Sequence, residues 1–113
     1  MTNIHHSVKA YVTHADGNYI RVKTVDSSLK SALLNLGFFS KADVDEYNIP
    51  TPNNEIKATV FTQLRTLDVC FSSGREWSPA EVFQYLRDLK LLSGGFRQIT
   101  WTGPNHFVVT DEK

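Results

Sequence analysis

The chain has 113 residues, 41% hydrophobic and 21% charged, and its twelve basic residues balance twelve acidic ones. Length and composition point to a single globular domain, residues 1–113, with one hydrophobic core and frayed ends at about 1–6 and 111–113. The balance holds in each half, six of either sign in residues 1–57 and six of either in 58–113, which disfavours a duplex-binding protein, because phosphate contacts call for a basic excess.

A single cysteine, Cys70, leaves no internal disulfide and no multi-cysteine metal site. A reducing, cytoplasmic setting is therefore the expectation. The opening "MTNIHHSVKAY" has no basic segment followed by an apolar one, so no signal peptide is expected. No apolar run approaches the roughly 18 residues of a spanning helix, so no membrane is expected either.

The first predicted element is a β-hairpin. Val8, Ala10 and Val12 alternate with Lys9, Tyr11 and Thr13, Asp16-Gly17 supplies the turn, and "NYIRVKTV" alternates again. Asp-Gly between two period-2 runs favours a tight turn because both residues tolerate positive φ. A helix follows in "DSSLKSALLNLGFF", where Leu29, Ala32, Leu33 and Leu36 make one apolar stripe and Gly37 suits its end. A short second helix is read next, from Ser40 with Asp43 as a weak capping box and Phe39 with Val44 as a staple.

Two prolines and three asparagines in "NIPTPNNE", residues 48–55, make a loop between two halves of the domain. Residues 56–71 carry two conflicting patterns. Val60, Leu64, Leu67 and Phe71 fit a helical stripe, but Thr59, Val60, Phe61, Thr62, Thr66 and Val69 favour a long or broken strand. The strand reading is preferred. The helix over 79–92 is the most legible element: Ser78 caps it, Pro79 opens it, Glu81 closes the capping box, and Gly94-Gly95 ends it. A last hairpin spans 96–110, with Ile99 opposite Val109, Trp101 opposite Phe107, and Gly103-Pro104-Asn105 at its tip.

The fold class read from this order is α+β: an antiparallel sheet of about five strands with two main helices on one face, ordered ββα(α)βαββ.

No catalytic or cofactor motif emerges. His5, His6, His14 and His106 lack ligand spacing, so no metal is expected. Cys70 lies in the apolar run "LDVCFS" without a neighbouring cation to lower its pKa, which makes it a buried structural thiol. Arg75 in "SSGREWSP" is a weak anion ligand beside a helix start. Asp43, Asp45 and Glu46 lack the spacing of a calcium loop. The reading is a non-catalytic binding or regulatory module acting through protein contacts, with a protein partner or a second copy in a homodimer and no cofactor. Trp101, Asn105, His106, Tyr11 and Tyr19 are its candidate binding residues, because aromatic side chains make interface anchors. The alternative is a nucleic-acid binder that uses helix 79–92 and hairpin 96–110 in the manner of a winged helix, with Arg87, Lys90 and Arg97.

Overall fold

The computed structural model describes residues 8–25, 27–40, 46–73, 77–103 and 106–112. Along the chain these form β1 (Ala10–His14), β2 (Tyr19–Thr24), a 3-10 turn (Ser27–Leu29), α1 (Lys30–Leu36), β3 (Phe39–Ser40), β4 (Glu46–Pro50), α2 (Asn54–Thr66), β5 (Cys70–Ser72), α3 (Pro79–Asp88), β6 (Phe96–Gly103) and β7 (His106–Glu112). One seven-stranded sheet runs in the order β3-β4-β2-β1-β5-β6-β7.

The sheet is mixed, not antiparallel, and has seven strands where about five were expected. β1 pairs parallel with β5, and β5 pairs parallel with β6, while the remaining pairs are antiparallel. The difference starts at residues 56–71, whose first part is helix α2 and not strand. Asn53 caps that helix by accepting the Ile56 N–H at 2.9 Å. The threonines that suggested a strand turn their hydroxyls back onto the helix, Thr59 to the Glu55 carbonyl, Thr62 to Ala58 and Thr66 to Thr62, at 3.0–3.1 Å. Ala58, Val60, Phe61 and Leu64 form the buried stripe. Because α2 carries the chain back along the sheet, β5 enters beside β1 in parallel, and α3 repeats the crossover into β6.

Two further expectations change. Phe39 and Ser40 form a strand, not the start of a second helix, and Phe39 is exposed. Asp43 and Val44, the other halves of that reading, lie outside the described residues. The loop at 48–55 shrinks to 51–53, because β4 runs to Pro50 and α2 begins at Asn54. At the other end β7 continues through Asp111 and Glu112, which pair with Arg97 and Phe96.

The two hairpins follow the sequence pattern, with Val12 opposite Val22, Ile99 opposite Val109 and Trp101 opposite Phe107, except that Val8, ahead of β1, joins the cluster on the face opposite Ala10 and Val12. Gly17 at the first turn has φ +84°. Ser78 caps α3, accepting from the Glu81 N–H, and Pro79 begins it. The helix ends at Asp88 and not at 92, because Lys90 takes the left-handed position (φ +61°) expected of Gly94-Gly95, and the Leu91 N–H turns back to the Leu86 carbonyl.

All three helices pack on one face of the sheet. Leu33, Phe61, Leu64, Phe83 and Leu86 from the helices join Val12, Ile20, Val22, Ile49, Phe71 and Phe96 from the strands in the main core. At its centre the rings of Phe61, Phe71, Phe83 and Phe96 contact one another with centroids 4.4–5.7 Å apart.

Candidate functional site

Strand alternation sends Tyr11, Cys70, Ser72, Ile99, Trp101, Phe107 and Val109 to the opposite face. There Val8, Cys70, Ile99 and Val109 form a second buried cluster, with Tyr11 and Phe107 packed against it. Among the described residues no helix contributes to that cluster, so strands and their own side chains cover this face.

Trp101 is its most prominent feature. The ring is 44% exposed. It meets Phe107 and Tyr11 in T-shaped contacts, at 5.1 Å and 5.8 Å between centroids, and its Nε1–H donates to Ser72 Oγ at 3.0 Å. The indole thus reaches from β6 over β5 to a residue of β1. Parallel insertion of β5 between β1 and β6 makes this possible, and nothing local to residues 96–110 signals it. Ser72, a residue that sequence reasoning passed over, is the anchor.

The other candidate binding residues scatter along this face and its margin. Tyr19, 37% exposed, stacks on His14 with centroids 4.6 Å apart. His106 is exposed at the start of β7, opposite Gly103. Asn105 lies outside the described residues. Around the aromatic trio, charges of both signs alternate. Lys23 pairs with Tyr11 across β1 and with Glu46 across β4, and Arg97 Nε lies 3.2 Å from Asp111 Oδ1.

Cys70 sits under this face, 1% exposed. Burial pushes its thiol up to about 11, against a smaller opposing effect of Arg97. Such a thiol holds its proton near neutrality and makes a poor nucleophile.

Of the residues of the nucleic-acid reading, Arg97 borders this face, while Arg87 and Lys90 lie on and just after α3. Arg87 and Arg97 line one hollow of about 720 Å³ together with Arg65 and with Asp68, Asp111 and Glu112. Arg65 donates to the Ser93 and Gly95 carbonyls at 2.8 and 2.9 Å, and its guanidinium lies over the Phe83 ring. Arg87 donates to the Gly94 carbonyl and to Gln84. These two arginines clamp the loop that follows α3. Lys90 is exposed in a left-handed conformation. The hairpin β6–β7 continues the central sheet.

A smaller hollow of about 420 Å³ is lined by Asp16, Gly17, Asn54, Lys57, Glu81, Val82 and Tyr85. Lys57, buried in α2, donates its ammonium to the Gly17 carbonyl at 2.9 Å, and burial lowers its pKa while Asp16 opposes the shift. The linkage ties the first hairpin turn to α2. The Gly74 and Arg75 of the weak anion site lie outside the described residues. Among the described residues no group of three or more His, Cys, Asp or Glu side chains could hold a metal, and no helix is long and apolar enough to cross a membrane.

Comparison with protein-family models, with curated proteins and with solved structures finds no match to this chain.

Proposed function

We propose that this chain is a non-catalytic binding module that docks a protein partner on the helix-free face of its sheet, with Trp101 as the anchor. The observation that carries the reading is the half-exposed indole at the centre of the Tyr11–Trp101–Phe107 trio. Large amphipathic rings held in place before binding lose little entropy on contact, which is why they concentrate interface energy. The charges around the trio favour a protein over a nucleic acid. Glu46 stands opposite Lys23, Asp111 lies on Arg97 and Arg21 donates to the Thr13 hydroxyl, so each of these three cations among the described residues already faces a protein group. The three arginines around the larger hollow speak for the nucleic-acid alternative, but Asp68, Asp111 and Glu112 line it too.

The test is capture from a native lysate, with and without nuclease, using wild type, Trp101→Ser and Arg87→Ala, each first verified as folded by circular dichroism. A stoichiometric protein that survives nuclease, is retained by Arg87→Ala and is lost by Trp101→Ser supports the proposal. Retention by Trp101→Ser removes this face from the reading. Nucleic acid in the eluate, with loss of binding in Arg87→Ala, replaces the reading by its alternative.

A further inference from the structure

We infer that two copies of this chain pair through the outer edge of β7, antiparallel, about a twofold axis at Val109. The inference extends the proposed function and rests on its premise that the chain acts through protein contacts, but it uses a different surface.

Among the described residues β7 ends the sheet. The opposite edge is β3, only two residues long, whereas β7 offers seven, His106 to Glu112. Long edge strands are templates for further pairing, and proteins usually blunt them with charged side chains, lysine above all, or with proline, a bulge or a covering element. The segment "HFVVTDE" contains neither proline nor lysine, its two carboxylates lie together at one end, and Val108 beside its middle is 47% exposed. From Phe96 to Trp101 its pairing with β6 is regular, the one irregularity falling between Trp101 and Gly103.

Symmetry limits the possible registers. An antiparallel strand paired with its own copy opposes only residues of the same face, so the axis must pass through a residue position. With the axis at Val109, His106 opposes Glu112, Phe107 opposes Asp111, Val108 opposes Thr110 and Val109 opposes itself, so all seven residues of the strand are used. Moving the axis to Val108 or Thr110 leaves five strand residues paired, and moving it to Asp111 sets two aspartates against each other. The Val109 register also places a histidine beside a carboxylate twice, once at each end. Asp111, which meets the partner's Phe107, already has its charge engaged by Arg97. Because the axis stands perpendicular to the sheet, the helix-free faces of both copies lie on the same side, and the module presents two Trp101 anchors at once.

The experiment is sedimentation velocity over a concentration series on wild type, His106→Glu and the double variant His106→Glu/Glu112→Lys. Wild type is expected to move with rising concentration from 12.8 kDa to twice that mass. His106→Glu sets like charges opposite each other at both ends and should raise the dissociation constant roughly five- to thirtyfold. The double variant restores opposite charges and should recover wild-type association. A wild type that stays at monomer mass throughout overturns the inference, as does a His106→Glu variant that dimerises like wild type, or a double variant that does not recover. If the chain is monomeric while Trp101-dependent capture persists, only the dimer is lost and the proposed function stands.

Discussion

The indole of Trp101 donates its N–H to the hydroxyl of Ser72 at 3.0 Å and thereby joins the C-terminal hairpin to the short central strand β5. Ser72 is buried, 6% exposed, so removing its partner leaves a hydroxyl without compensation in addition to the lost ring contacts. Trp101→Ala is expected to cost about 1–3 kcal/mol. Trp101→Phe should cost less, because it loses the hydrogen bond but keeps much of the packing against Tyr11 and Phe107. His106→Ala, at an exposed position, should leave the monomer's stability within about 0.5 kcal/mol of wild type. Urea midpoints of the three variants check the order, and a Trp101→Ala protein that melts like wild type contradicts the structural role assigned to the ring.

Cys70 gives the molecule an alkaline weakness. Its folded thiol is raised to about 11 by burial, so the folded state keeps a proton that the unfolded chain releases earlier. The stability this contributes is complete below the unfolded pKa and is lost as pH rises through the folded one. Between about pH 8 and pH 11 wild type should lose roughly 1–3 kcal/mol more than Cys70→Ala. Parallel denaturation curves for the two proteins over that range would rule the effect out.

Gly94 has φ +84°, and a Cβ placed there would lie 3.2 Å from Arg65 Nη1, the nitrogen that holds the Ser93 and Gly95 carbonyls. Gly94→Ala therefore meets both backbone strain and a displaced guanidinium. A loss of roughly 1–2 kcal/mol is expected from the left-handed backbone alone. Combined with Arg65→Ala, the same substitution should cost less than it does alone, since the crowding is gone. Purely additive losses in that double-mutant cycle would show that the clamp does not depend on Gly94.

Asn53→Ala tests the helical assignment of the segment that reads locally as strand. The Asn53 side chain satisfies the Ile56 N–H at the start of α2, and its removal should cost about 0.5–2 kcal/mol. Asn53→Ser or Asn53→Asp should recover most of that loss. If all three substitutions leave the urea midpoint unchanged, the cap contributes nothing.

Elements built from near neighbours were legible in the sequence. Asp16-Gly17 between alternating runs, the Ser78-Pro79-Glu81 cap and the Ile99–Val109 register each depend on residues within a few positions of one another. Within 56–71 the helical part reads as strand because a threonine's strand preference is weighed without its hydroxyl, and three of these hydroxyls bond back along the helix. Tyr47 and Ile49 also carried a strand's alternation, hidden between Pro50, Pro52 and three asparagines. For the candidate site, the pairing of Trp101 with Phe107 could be read from the hairpin, but its contacts with Tyr11 and Ser72 could not. The sequence offers Arg97 as a cation able to meet a phosphate, and the fold puts Asp111 on it through the β6–β7 register.

By itself the sequence determined the two hairpins, the capped start of helix α3, the stripe of α1 and the balanced charge, because each follows from local periodicity, turn chemistry or counting. Only the tertiary structure decided that β5 lies parallel between β1 and β6, that the described helices pack on one face of the sheet, and that Trp101 spans the other. Those outcomes hang on where two crossovers return the chain, and contacts between residues 29 positions apart (Ser72 and Trp101) or 90 apart (Tyr11 and Trp101) have no counterpart in a pattern of neighbours.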